Sequence, residues 1–565
     1  MRAVSTDRGR EAPIQYGLAL LTVVLVAAPL IPILYQAVID RPLYDSGQQL
    51  TLNNFVELAG TGEFITVVIN TFLFAIATTV IAQTLGTGAA ILIGRTDMPY
   101  ARLIGELFLW PIYVSALILS FGWYAMYGPS GYLTLLLSPI FEESPWDLYT
   151  LTGMAAMAGV SLAPVAFLYC TASAGIADPA LEEAARVSGA GTMRTLVRIT
   201  LPLLKPAIFY SAVLNFTVAL ELLSIPLVFG GPANIEVLST FLLRNVIGVR
   251  QSGQGTVATA AVFLLVIVCV LVWLQARLLG NTRRYETLGG KATRPRPFAL
   301  NALRIPAFLI ACTYLLFAVM LPLGTLILRA FTSFLSPLVP VSEVLTFDNF
   351  TGVMAFDVAH RSIINSFLIS IIGGALATLL VASIAIVCYR SEFPFRKALQ
   401  YIALFPRAVP GVVAGLGFFY ALTMIPGIGG IRNTIWIMII AFTMHLIPAG
   451  FGAVAPILLQ ISPDLDRAAR VKGADWLTTS RRIVLPLMKP ALVACYTILF
   501  ISFFKEYSTA MFLFAPGSEV IGTTQLNLWT GGEMGQAAAL AAIQIAVIGT
   551  CVGVARTVFG VRLHG

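Results

Sequence analysis

The stretch Asp178-Pro-Ala-Leu-Glu-Glu-Ala-Ala-Arg-Val-Ser-Gly-Ala-Gly191 returns later in the chain as Pro463-Asp-Leu-Asp-Arg-Ala-Ala-Arg-Val-Lys-Gly-Ala-Asp475. Each copy runs on to Leu-Pro-Leu-x-Lys-Pro-Ala, at Leu201–Ala207 and Leu485–Ala491. Matched residues lie 284 apart, about half of the 565-residue chain. Ala184, Ala185, Arg186, Val187, Gly189, Arg198, Pro202, Lys205 and Pro206 have identical counterparts at Ala468, Ala469, Arg470, Val471, Gly473, Arg482, Pro486, Lys489 and Pro490. Upstream, Pro164 matches Pro448. So many identities without a gap mark an internal duplication. An ordinary connection between helices is a few residues long and has no reason to be kept twice in nearly the same form.

The repeated loop has a readable local chemistry. Asp178 and Ser462 are N-cap types, each followed by a proline suited to a first helical turn. Glu182 and Glu183, and Asp464 and Asp466, crowd the first turn, where the helix dipole favours negative charge. The small pairs Ala184-Ala185 and Ala468-Ala469 allow another surface to come close to the backbone. Gly189 and Gly473 then predict a left-handed residue that ends the short helix. Further on, Leu-Pro-x-x-x-Pro predicts a bend into the next apolar segment, because proline removes a backbone donor and crowds the preceding turn.

Outward from the repeat, composition sets the class. Hydrophobic residues make up 58% of the chain and charged ones 11%, with a mean hydropathy of +0.87. A soluble domain carries about 25% charge, so most of this chain must face lipid or other lipid-embedded helices. The net charge of +8 does not point to nucleic acid, since the basic residues lie in short segments between apolar runs. The six cysteines sit in or beside apolar stretches without a Cys-x-x-Cys pair, and the three histidines are far apart, so no metal site is expected. The first apolar run, Tyr16 to about Ala37, is too long for a signal peptide, lacks a convincing cleavage site and leads into further spans.

About 20 apolar residues cross a bilayer. That criterion gives twelve spans, near 16–38, 65–94, 102–127, 150–175, 207–230, 256–280, 305–329, 362–388, 398–424, 433–460, 491–515 and 537–558. With the N-terminus cytoplasmic, 27 of the 35 Lys and Arg fall in cytoplasmic segments, while acids such as Glu142, Glu143 and Asp147 fall outside. This asymmetry orients both termini inward. The expected fold is an all-α polytopic membrane protein with two parallel, pseudo-symmetric six-helix halves. An N-terminal segment (1–15) precedes the first half (16–280, repeat loop 178–207). A basic linker (281–304) joins it to the second (305–565, repeat loop 462–491). An even number of spans per half makes the halves run in the same direction.

Charges inside the spans are candidates for a transport path. Glu221 lies 15 residues beyond Pro206, roughly 22 Å along a helix at about 1.5 Å per residue. By the offset of 284 it matches Lys505, with Glu506 beside it. These residues either border the path or pair with each other across the two halves, and the two readings are compatible. His445 is read first as a hydrogen-bonded packing residue and second as part of the path.

The repeated loop resembles the "EAA" motif of ABC importer permeases, Glu-Ala-Ala-x-x-x-Gly followed by Ile-x-Leu-Pro. The first copy reads Glu183-Ala184-Ala185 to Gly189, then Ile199, Leu201 and Pro202. The second reads Arg467-Ala468-Ala469 to Gly473, then Ile483, Leu485 and Pro486, with arginine in place of glutamate and Asp466 adjacent. The resemblance implies a type I importer permease fold, in which each loop is a coupling helix seated on an ATP-binding subunit. It also implies two ATPase copies, an external solute-binding protein and an inner-membrane location. Trp110-Pro111, Gly128-Pro-Ser-Gly131, Phe405-Pro-Arg-Ala-Val-Pro-Gly411 and Phe504-Lys-Glu-Tyr507 are similar to the ferric-iron-type branch of fused permeases. Permeases for thiamine, aminoethylphosphonate and polyamines share much of this pattern. No Gly-x-x-x-x-Gly-Lys-Ser/Thr occurs, so ATP and Mg are expected on a partner ATPase, with no cofactor in this chain and no catalysis by it. A secondary transporter with two six-helix halves, or a scaffold without transport, are the readings from other classes.

Overall fold

The computed structural model describes residues 8–176, 179–246, 253–279, 297–424, 427 and 429–558. Residues 1–7 of the N-terminal segment, Asp178, residue 280 with residues 281–296 of the linker, and the tail from 559 lie outside the described residues. Among the described residues nine helices are long and apolar enough to span a membrane, and three bent pairs bring the number to twelve. In chain order, the first half comprises α1 (Glu11–Ala37), α2 (Gly62–Arg95), α3 (Ala101–Tyr113), α4 (Ala116–Leu137), α5 (Leu151–Ala174), the short α6 (Pro179–Val187), α7 (Thr192–Glu221) and α8 (Gln254–Arg277). The second half comprises α9 (Asn301–Ala330), α10 (Asp357–Arg390), α11 (Arg396–Ala408), α12 (Gly411–Met424) and α13 (Ile435–Gln460). It continues through the short α14 (Asp464–Val471), then α15 (Trp476–Leu487), α16 (Lys489–Lys505) and α17 (Met534–Thr557).

Helix bounds repeat with a stepwise offset. Gly62–Arg95 and Asp357–Arg390 are 295 apart at both ends, whereas the starts of α5 and α13, at Leu151 and Ile435, are 284 apart. The first half therefore holds 11 more residues between these points. Eight of them lengthen α4 relative to α12 and three lie in the link to α5; this stretch shapes a cleft of about 490 Å³ beside Tyr127, Trp146 and Tyr149, rimmed by Glu142, Glu143 and Asp147.

Four of the expected spans differ from continuous helices at the expected bounds. The third and ninth are broken: α3 meets α4 at 106°, and α11 meets α12 at the same 106°. The chemistry of the two breaks is unequal. Val409 precedes Pro410 and is extended, at φ −104° and ψ 107°, because the proline ring excludes the helical region from the residue before it. In the first half Ser115 makes the break, its Oγ accepting from Ile118 N at 3.2 Å as an N-cap. The fifth span ends at Glu221, and Leu222 turns extended, rather than continuing to residue 230. The eleventh ends at Lys505 and not near 515, with Glu506 extended.

The bend expected from Leu-Pro-x-x-x-Pro is present in one copy only. Between α15 and α16 the chain turns by 74° at Met488. In the first half α7 runs through as one 30-residue helix. There Pro202 falls in the opening turn of its α-helical part, where an N–H is dispensable, and a π-helical turn at Leu196–Thr200 takes up the irregularity.

The two halves exchange their first helices. The chain's opening helix α1 packs along α12 of the second half, and α9 packs along α4 of the first. Each crossing is closed by a glycine set against a proline carbonyl. A Cβ at Gly417 would stand 2.2 Å from Pro29 O, and one at Gly122 would stand 2.7 Å from Pro322 O. Backbone-to-backbone approach of this kind supplies the packing that the hydrophobic effect does not supply in lipid. Gly417→Leu is expected to part α1 from α12 and to lower stability by about 1–3 kcal/mol through overpacking. Gly452→Ala, with nothing within 4 Å of the new Cβ, should leave it unchanged. Thermal unfolding of the detergent-solubilised chain measures both.

Candidate docking loops and the crossing between the halves

The repeated loop folds as a short helix and a left-handed stop in both copies. Gly189 has φ +78° and Gly473 φ +79°, as expected. Ala190 N donates to Ala185 O at 2.9 Å and Ala474 N to Ala469 O at 3.0 Å, the six-to-one bond of a Schellman cap. In the second copy Ser462 Oγ accepts from Asp464 N at 3.2 Å.

Each short helix is anchored to the bundle by a buried arginine that sequence reasoning overlooked. Arg95, at the end of α2, pairs with Glu182, both side chains being 3% exposed. Its Nη1 donates to Ala174 O at 3.3 Å, and Thr200 Oγ1 donates to Glu182 at 2.7 Å. Arg390, at the end of α10, repeats the arrangement. Its Nη1 donates to Asp466 Oδ2 at 2.8 Å and its Nη2 to Leu458 O at 2.8 Å, with a further bond to Ile461 O. Asp466 thus corresponds to Glu182 and turns inward; it does not stand in for the missing glutamate at 467. The signal was present: Arg95 and Arg390 are the last residues of helices 295 apart, and both were counted only as orienting charges.

The opposite face of each short helix is uncovered. Glu183, Ala184, Arg467 and Ala468 are exposed, Ala185 is half-buried and Ala469 is buried. Val187 is 90% exposed and its counterpart Val471 is 88% exposed, flanked by exposed Leu181 and Leu465. Arg467 makes a surface pair with Asp464 at 3.2 Å, and such pairs contribute about 0–1 kcal/mol. Ile199, Leu201, Ile483 and Leu485 are half-buried under the loop, as is Pro202, whereas Pro486 is exposed at the bent joint. The start of α1 joins this side too, where Glu11 Oε1 accepts from Trp476 N at 3.0 Å.

Glu221 and Lys505 occupy equivalent ends of α7 and α16, but they are not partners. Glu221 Oε2 accepts from Gly411 N, at 3.0 Å, so the carboxylate of one half caps the first turn of α12 in the other. Lys505 Nζ donates to Ile112 O at 2.5 Å, so the ammonium of the second half meets the last turn of α3 in the first. The pairing expectation fails because the helix breaks present opposite partial charges to the two residues. An anion suits an exposed N-terminus and a cation a C-terminus. Pro410 offers no side-chain acceptor for α12, and Glu221 supplies one; Ser115 already caps α4, which leaves carbonyls for Lys505.

His445 and Glu506 lie beside the same break. A Cβ on Gly411 would be 3.6 Å from His445 Nε2 and 3.3 Å from Thr509 Oγ1, and Thr509 N donates to Glu506 Oε1 at 3.1 Å. Among the described residues His445 Nδ1 has no hydrogen-bond partner. Glu221, His445, Lys505 and Glu506 are all half-buried, neither sealed in the core nor fully exposed. The four expected path residues therefore gather at the crossing, around Gly411 and Ile112, two backbone positions that no side-chain pattern could have singled out.

Two sets of outcomes follow from this geometry. Arg95→Ala leaves Glu182 buried without its counter-charge and should cost about 3–5 kcal/mol. Arg390→Ala should cost less, because Asp466 is 18% exposed; thermal unfolding of the two variants gives the order. For the crossing, Glu221→Lys and Lys505→Glu should each destabilise, and the double swap should be worse than either alone. Rescue by the double swap would mean that the two residues pair directly.

Comparison with known proteins follows the same division into halves. The model of the binding-protein-dependent transport system inner membrane component matches the chain twice, over residues 85–284 and 374–564. The ferric transport system permease protein FbpB of Actinobacillus pleuropneumoniae is 28% identical over 542 residues, which cover 94% of this chain and 76% of the relative. The putative ferric transport system permease protein FbpB 1 of Haemophilus influenzae is 30% identical over 424 residues, covering 74% of this chain and 65% of the relative. A solved bacterial ABC transporter that imports the acidic polysaccharide alginate aligns at 18% identity and a TM-score of 0.38, covering 50% of this chain and 98% of its own. Matched in both halves across the docking loop and the spans around it, the chain belongs to the family of inner membrane components of binding-protein-dependent transport systems.

Proposed function

We propose that this chain is a two-half permease of an ATP-driven importer, passing ferric iron from an external binding protein to the cytoplasm. Two copies of a separate ATPase, which bind ATP and Mg, dock on α6 and α14. The observation that carries this reading is the pair of short helices 284 residues apart, each tied inward by a buried arginine and each presenting the same exposed leucine and valine outward. Bare apolar side chains at the same two positions of both copies, on helices that also carry charge, support a partner-facing surface. On this reading both docking loops and both termini lie in the cytoplasm, which the charge asymmetry supports. The ferric cargo rests on relatives named as ferric transport permeases. Importers of thiamine, aminoethylphosphonate or polyamine remain the alternative cargoes of the same class. A secondary transporter is set aside by membership of a binding-protein-dependent family.

The test is co-purification and iron uptake with the cognate ATPase and binding protein. Gly189→Asp together with Gly473→Asp should abolish both, because each places a side chain on a left-handed residue at the dock. If both survive, the reading is wrong. Glu183→Lys should uncouple ATP hydrolysis from uptake more strongly than Arg467→Glu, since Glu183 faces outward while Arg467 is engaged with Asp464. Equal effects would remove the proposed inequality of the two docks.

A further inference from the structure

The stretch from Phe405 to Gly411 breaks a helix, but its arginine is not needed for the break. Arg407 lies in the last turn of α11 and is exposed. Its Nη2 donates to Tyr210 Oη at 3.0 Å, and its guanidinium carbon lies 5.5 Å from the centre of the Tyr210 ring. Tyr210 packs against Tyr169 with ring centres 4.8 Å apart. The three residues come from α11 of one half and from α7 and α5 of the other, so they meet where the halves face each other. Tyr210 precedes Glu221 by 11 residues on α7, which is about 16 Å nearer the docking loops at 1.5 Å per residue.

Two observations mark this as more than packing. The corresponding positions in the duplicate are Ile112, Ala453 and Ala494, all with apolar side chains, so the arginine and its two tyrosines belong to this side alone. The other observation is charge. Arg95, Arg244, Arg361, Arg390 and Arg556 each meet a carboxylate. Among the described residues Arg407 has no carboxylate at ion-pair distance, and its hydrogen bond is to a neutral phenol. A cation within a span persists where a partner or water offsets its cost. Most of its five N–H donors remain free in a planar fork.

We propose that Arg407, with Tyr210 and Tyr169, forms an anion-binding site on the docking-loop side of the path, recognising a carboxylate or phosphate-type oxyanion. The fork of arginine fits such groups bidentately, while the face of Tyr169 and the Tyr210 hydroxyl set its border. Built on the importer reading above, this means that cargo passes as an anion or inside an anionic ligand shell, because a bare trivalent cation is repelled at Arg407.

Isothermal titration of the full chain in nanodiscs tests this without ATPase or binding protein, so a failure of the iron assignment in uptake assays leaves the result readable. The probes are inorganic phosphate, citrate and ferric citrate. The wild-type chain should bind at least one of them, Arg407→Gln should weaken binding by about tenfold or more, and Arg407→Lys, which keeps the charge without the fork, should fall between. Tighter binding of ferric citrate than of citrate assigns the anion to a metal's ligand shell; equal binding assigns a free anion. Unchanged affinity in Arg407→Gln, or in Tyr210→Phe and Arg407→Lys together should the first variant not fold, overturns the site. So does a wild-type chain that binds none of the probes.

Discussion

A helix that stops inside a bilayer leaves backbone donors and acceptors with no water to satisfy them, at several kcal/mol for each group left bare. This bundle breaks a span in each half, at Val114 and Val409, and much of its central architecture follows from how those ends are satisfied. Each half sends the charged end of a long helix across to the other. Where proline leaves an uncapped N-terminus the visitor is a carboxylate, and where serine has already provided the cap the visitor is an ammonium that takes a carbonyl. Duplication gave the two halves one geometry, and substitution at Pro410, Ser115, Glu221 and Lys505 gave them opposite electrostatics within it.

The same exchange holds the outer parts together. With α1 seated on α12 and α9 on α4, neither half encloses its own central helix, and the glycine–proline crossings leave no room for either to slide. At the other end, Arg95 and Arg390 fasten the docking helices to the tips of α2 and α10. A force applied to a docking helix therefore reaches the crossing by two routes, along α7 or α16 directly and through the arginine to the neighbouring span.

Much of this was legible in the sequence. Residues repeating at 284 gave the division into halves, apolar runs gave the spans, and the glycine after each docking helix gave its left-handed stop. What escaped was set by partners distant in the chain or by backbone. Arg95 looked like one more orienting charge because Glu182 is 87 residues away and its counterpart is an aspartate. The equivalence of Glu221 and Lys505 was read correctly as a shared position and wrongly as a shared bond, since an offset reports where a residue sits and not which backbone group stands opposite it. The helix breaks were hidden by uniform hydropathy, which records that a segment is buried in lipid but not that it turns. Only Pro410 gave a local hint, and Ser115 achieves the same turn without one.

The unequal joints beyond the docking helices set how the two halves can move. On the first side, docking helix and span are linked by a rod 30 residues long; on the second, the chain folds at Met488 by 74° before it enters the core. A push that rotates the first arm as a whole can be absorbed on the second by flexing at an elbow. On the function proposed above, partners pushing on the two short helices would thus meet a straight arm on one side and a jointed one on the other.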